Sequence, residues 1–206
     1  MKKIISLMAL LAMVLCVNAQ PLNREAIEEA VKQNYTHYQQ LTERFIAGDP
    51  SLTTDEVRLV YYGYRFNPQF RANAMYPGLQ EAFDANDYTK TLDMARLGLS
   101  ANPVSLPLLF KAYACSMMSL DADTKAKAKV YQIRINQLCD VIFESGKGVS
   151  SHSPYVVIRS SDIDPFVKNY LQPQAILDQS TLGSQLAVKM KLEGVPDEVI
   201  LYFDVF

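Results

Sequence analysis

Four short stretches carry side chains able to do chemistry. Ser151-His152-Ser153 sets a base between two hydroxyls, the raw material of nucleophilic catalysis. Adjacent residues rarely aim at one another, however, and no strand-turn-helix nucleophile elbow surrounds either serine. Asp162 and Asp164 are carboxylates of the kind that share acid-base work. At i and i+2 on a helix they do not face each other, and acidic residues at a helix start are explained by capping and the helix dipole. Gly146-Lys147-Gly148 is basic and flexible but lacks the longer glycine-lysine frame of a phosphate-binding loop. Tyr61, Tyr62, Tyr64, Phe66, Phe70 and Tyr76 crowd rings into one helix turn and the loop after it. They cannot all face one core from there. Tyr62 and Tyr76 are therefore the candidate binding residues, since exposed aromatics suit protein or sugar contacts. Packing of the helix against its loop is the plainer role for the same rings.

No catalytic residue, metal site or cofactor is expected. The only histidines are His37 and His152, and no two cysteines stand at metal-ligand spacing. His37, between Thr36 and Tyr38, is expected at a surface or helix contact.

The chain that must position these residues has 206 residues, 49% hydrophobic and 20% charged, enough for a sizeable core. A formal net charge of -2 leaves no basic footprint for nucleic acid. Met1-Lys2-Lys3, an uncharged apolar run from Ile4 to Val17, and Val17-Asn18-Ala19 have the three parts of a secretory signal peptide. Cleavage after Ala19 would leave Gln20 first and remove Lys2 and Lys3, taking the net charge from -2 to -4. The short basic start looks bacterial, which implies a periplasmic or secreted destination. A lipidated cysteine follows a small residue, and Leu15 precedes Cys16, so lipid anchoring there is disfavoured. No later stretch is long and apolar enough for a membrane helix.

Export would allow Cys115 and Cys139 to oxidise. On the helical reading below they lie ~15 Å apart along a helix pair at 1.5 Å rise per residue. A disulfide needs Cα atoms within about 7 Å, so two buried free thiols are expected.

Residues 20–145 read as helices. Residues 21–47 form one long amphipathic helix ended by Gly48-Asp49-Pro50. Thr53-Thr54-Asp55-Glu56 opens residues 52–64 with a capping box. Helices over 77–85, 87–101, 105–120 and 123–144 follow, with Asn102-Pro103 and Asp121-Ala122-Asp123 as turns. The last two are apolar on two sides, which places them between neighbours. Residues 146–206 change period. Tyr155 to Ile158 is a short strand, 162–171 a helix and 175–179 a possible strand. Leu186, Val188, Met190 and Leu192 alternate with Ala187, Lys189 and Lys191. Gly194 to Asp197 turns into a nearly continuous apolar strand over 198–206, expected to be covered on both faces. Deleting 202–206 is expected to damage folding. The class is α+β: a helical stack, then a small antiparallel sheet packed on it as one unit.

Asn86-Asp87-Tyr88, Ala95, Gly98 and Asn102-Pro103 resemble the second helix of a tetratricopeptide repeat, with Thr91 departing from the pattern. The wider layout resembles an exported bacterial family of unassigned function. The matching pieces are Arg44-Phe45, Gly48-Asp49, Leu52-Thr53, Tyr61-Tyr62-Gly63, Asn86-Asp87-Tyr88, Asn102-Pro103, Ser145 to Gly148 and Leu201 to Val205. The resemblance implies no activity. The leading expectation is a non-enzymatic module binding a protein or peptide in the cell envelope. The alternatives are a hydrolase built near His152 and a structural subunit of an envelope assembly.

Overall fold

The computed structural model describes residues 22–72 and 76–206. The signal peptide expected over Met1 to Ala19, with Cys16, lies outside the described residues. Among the described residues seven α-helices precede the first strand, an eighth lies between the first strand and the second, and four strands form one sheet, so the class is α+β.

Two helices stand where one was expected. Helix α1 (Arg24–Gln33) and α2 (Tyr35–Ala47) meet at Asn34, which has φ -138° and ψ 63°. The Asn34 N–H closes α1 on Ala30, and its side chain accepts from His37 N to open α2. An asparagine that satisfies both ends makes the break cheap. Gly48, in the left-handed region at φ 73°, ends α2. Helix α3 (Thr54–Gly63) opens on the expected capping box: Thr53 Oγ1 accepts from Glu56 N, and Glu56 Oε2 accepts from Thr53 N. Arg44 on α2 bridges to Asp49 at 2.8 Å and Glu56 at 3.1 Å, fixing this corner.

Helices α4 (Leu79–Asp84), α5 (Tyr88–Ala101), α6 (Leu106–Met118) and α7 (Ala122–Glu144) come next. Helix α6 packs on both α5 and α7, which is why Leu108, Leu109, Ala112 and Cys115 are all buried. Met117, in its last turn, is 44% exposed.

Beyond β1 (Tyr155–Val157), a tight helical turn at Ser160–Asp162 runs into α8 (Ile163–Pro165) and a wider turn at Phe166–Leu171, where a single regular helix was expected. Strands β2 (Ala175–Leu182), β3 (Gln185–Lys191) and β4 (Val199–Val205) complete the sheet in the order β1-β4-β3-β2. The sheet is mixed, which corrects the antiparallel expectation. Strands β2, β3 and β4 pair antiparallel, but β1 lies parallel to β4, with Tyr155 opposite Phe203. Parallel pairing needs a long crossover, and here the remaining strands and α8 lie between the two partners.

Strand β4 is not covered on both faces. Leu201 and Phe203 are buried, whereas Ile200 is 41% exposed. The buried face carries Tyr155, Val188, Met190, Leu201 and Phe203. Phe166 closes on it, its ring 5.6 Å from Tyr155 and 6.1 Å from Phe203. Phe206 packs against Tyr62 and Phe66, and its N–H donates to the Val157 carbonyl. Core residues of the helices and of the sheet form one hydrophobic cluster.

Candidate functional site

The residues singled out for their chemistry do not converge. His152 is exposed on the loop before β1. Its backbone N–H donates to Ser150 Oγ, while Ser153 Oγ accepts from Lys147 N. Among the described residues no ion pair joins the His152 ring to a carboxylate. The Gly146-Lys147-Gly148 amides that could have cradled a phosphate are occupied: Lys147 N and Gly148 N both donate to the Ser153 carbonyl. A Cβ at Gly146 would fall 1.9 Å from Pro154 O, so the glycine is there for a close backbone approach.

Of the aromatic cluster, Tyr61, Tyr62 and Tyr64 are buried, and Phe66, Phe70 and Tyr76 are half-buried. Tyr62, expected to be exposed, is 0% exposed. Its hydroxyl donates to the Val156 carbonyl at 2.9 Å and its ring lies 4.9 Å from Tyr61. Helix α3 is covered on several sides, by α1, α2 and α7, and so has room for inward rings on successive positions. Tyr76 is half-buried, accepts from Asn102 Nδ2 at 3.3 Å and rests on Gly98. Cys115 and Cys139 are free and buried. Among the described residues no cluster of His, Cys, Asp or Glu could hold a metal, and no helix is long and apolar enough to cross a membrane.

Asp162 and Asp164 part company. Asp164 faces outward, taking Lys168 and Gln179 as partners. Asp162 is 0% exposed. Its Oδ2 accepts from the Tyr61 hydroxyl at 2.9 Å and its Oδ1 from Leu106 N at 3.3 Å. Leu106 begins α6, whose own cap residue Ser105 makes no side-chain bond there. Asp162 thus caps α6 from a remote segment, with its charge at the positive end of the helix. The Tyr61 hydroxyl in turn accepts from Ile158 N at 3.2 Å. Burial pushes the Asp162 carboxyl up to about 6 from 3.8, against the opposing pull of Arg159, the Tyr61 hydroxyl and the Leu106 N–H. These groups form a sealed polar node that ties α3, α6, β1 and α8 together.

Among the described residues one cleft, of about 330 Å³, opens where α2, α5 and α7 meet, lined by Ile46, Leu99, Tyr131, Arg96, Lys127 and Arg134, and a second, of about 310 Å³, lies between α1 and α3. Arg134 is 4% exposed, although a guanidinium is rarely buried without an anion. It donates from Nη2 to the Pro103 carbonyl at 2.6 Å and stands 5.1 Å from the Phe45 ring. Its Nε has no partner among the described residues. Burial lowers its pKa from 12.5 to about 10. Arg96 reaches Asp93 only at 3.9 Å, and its Nη2 has no partner among the described residues. The sequence held one clue to this cleft. Tyr131, Arg134 and Leu138 fall at three-four spacing, so Arg134 puts a charge in a core-facing stripe.

A model of a protein family described as a domain of unknown function, DUF4919, matches residues 25–205. No curated protein and no solved structure matches the chain.

Proposed function

The chain belongs to the DUF4919 family, and from that premise we propose that it is a protein- or peptide-binding module of the cell envelope. The observation that carries the reading is the cleft between α2, α5 and α7, where the exposed Lys127, the half-buried Arg96 and the buried Arg134 all line a mostly apolar wall. Ligand sites combine a mostly apolar wall with a few placed polar groups in this way. The strongly perturbed carboxyl of Asp162 is by contrast shut inside the core, where it serves the fold. The basic and apolar start of the chain supports export.

A photo-crosslinking amino acid at Leu97, which is 75% exposed and follows Arg96 on α5 without lining the cleft, tests the reading in cells. The expected result is a discrete protein adduct in the envelope fraction, identified by mass spectrometry. A cytoplasmic protein with no adduct from Leu97 would overturn it, as would a hydrolytic activity that His152→Ala abolishes. Adducts only from Leu182, on the exposed strand β2, would instead favour a subunit joined edge to edge in an assembly.

A further inference from the structure

Resting on that reading of the same cleft, we infer that its ligand is a peptide C-terminus, with the terminal carboxylate held by Arg96 and Arg134 and the last apolar side chain laid against Leu99 and Tyr131. Arg134 is buried, anchored at one nitrogen and left without an anion. An unpaired buried cation is costly, and an incoming carboxylate relieves that cost. The forked guanidinium fits a carboxylate's two oxygens better than an ammonium does. Charge is available for the purpose. Asp93 stands 3.9 Å from Arg96, but no carboxylate pairs with Lys127 or Arg134 among the described residues.

Size and shape select the occupant. At about 330 Å³ the cleft lies near the lower end of ligand sites, room for one or two side chains, with the rest of a peptide free to leave across its open rim. A terminal apolar residue carries its carboxylate and its side chain on one carbon, which suits cations and apolar walls within one small cleft. Ile46, 45% exposed at the rim, offers the next residue an apolar contact.

The test uses acetyl-alanyl-alanyl-leucine as the free acid, its amide, and octanoate, titrated by calorimetry and followed by thermal shift. The free acid should bind and raise Tm, at least tenfold more tightly than the amide, and the binding should weaken with salt. Arg134→Gln and Arg96→Gln should each weaken it tenfold or more. Should Arg134→Gln fail to fold, Arg96→Gln decides, and unchanged binding of the free acid by that variant overturns the inference. Equal binding of acid and amide, tighter binding of octanoate, or no binding of any probe overturns the inference. An adduct from Leu97 that persists in any of those cases leaves the binding-module reading standing. Its loss removes both.

Discussion

The Tyr61 hydroxyl donates to Asp162 Oδ2 at 2.9 Å across 101 positions of sequence. The same oxygen accepts from Ile158 N, so one phenol serves a helix, a strand end and a buried carboxylate. Tyr62, its neighbour, is just as buried, but its hydroxyl donates to the neutral Val156 carbonyl beside the Ser145 hydroxyl and holds no charged group.

That difference predicts unequal costs for the same chemical change. Tyr61→Phe strands a buried carboxylate oxygen and a backbone N–H, and should destabilise by about 2–4 kcal/mol. Tyr62→Phe removes one neutral bond and should cost about 1 kcal/mol. Urea melts of the two variants beside the parent measure both. Equal costs would mean that the Tyr61 node is held by packing alone.

Asp162 also sets a pH dependence. Its folded pKa of about 6 exceeds 3.8, so between those values the folded state holds the extra proton. Stability from this group therefore rises as pH falls from 7 towards 4.5. The difference corresponds to about 3 kcal/mol when fully expressed. Asp49 and Glu56, whose pKa values are lowered by hydrogen bonds from Ser51 and Thr53, oppose it only below about their ordinary range near 4. Asp162→Asn should flatten the parent's slope between pH 7 and 4.5, read from urea midpoints. An unchanged slope would place the effect elsewhere.

The thiols should be inert while the protein is folded. Burial raises the pKa of Cys139 well above normal and that of Cys115 to a lesser degree, and the thiolate is the reacting form. Alkylation by iodoacetamide followed by mass spectrometry should proceed only at the rate of unfolding. Rapid labelling of either one in native buffer would contradict the packing of α6 on α7.

Phe203 tests the sheet. It is 0% exposed, opposite Tyr155 and against Phe166. Phe203→Ala should cost about 3–5 kcal/mol, and Ile200→Ala on the open face under 1 kcal/mol. Thermal melts separate the two. The contrast also bears on the expected harm from deleting 202–206, since that segment supplies a central strand.

The sequence alone determined what rests on neighbours within a turn or two. Thr53 and Glu56 announce a helix start, Gly48 and Asn102-Pro103 announce ends, and alternation announces β3, because each signal is a contact closed within a few residues. Tertiary structure decided the rest. Tyr62 is internal because α3 is enclosed by three other helices, a fact no local spacing contains. Asp162 caps α6 from 56 residues away, a partnership set by chain topology. Arg134 is legible as a misplaced charge, but the opening of its surroundings into a cleft depends on where α2 comes to rest. Local hydrogen bonds and side-chain period are written along the chain, whereas burial and charge pairing are properties of elements brought together.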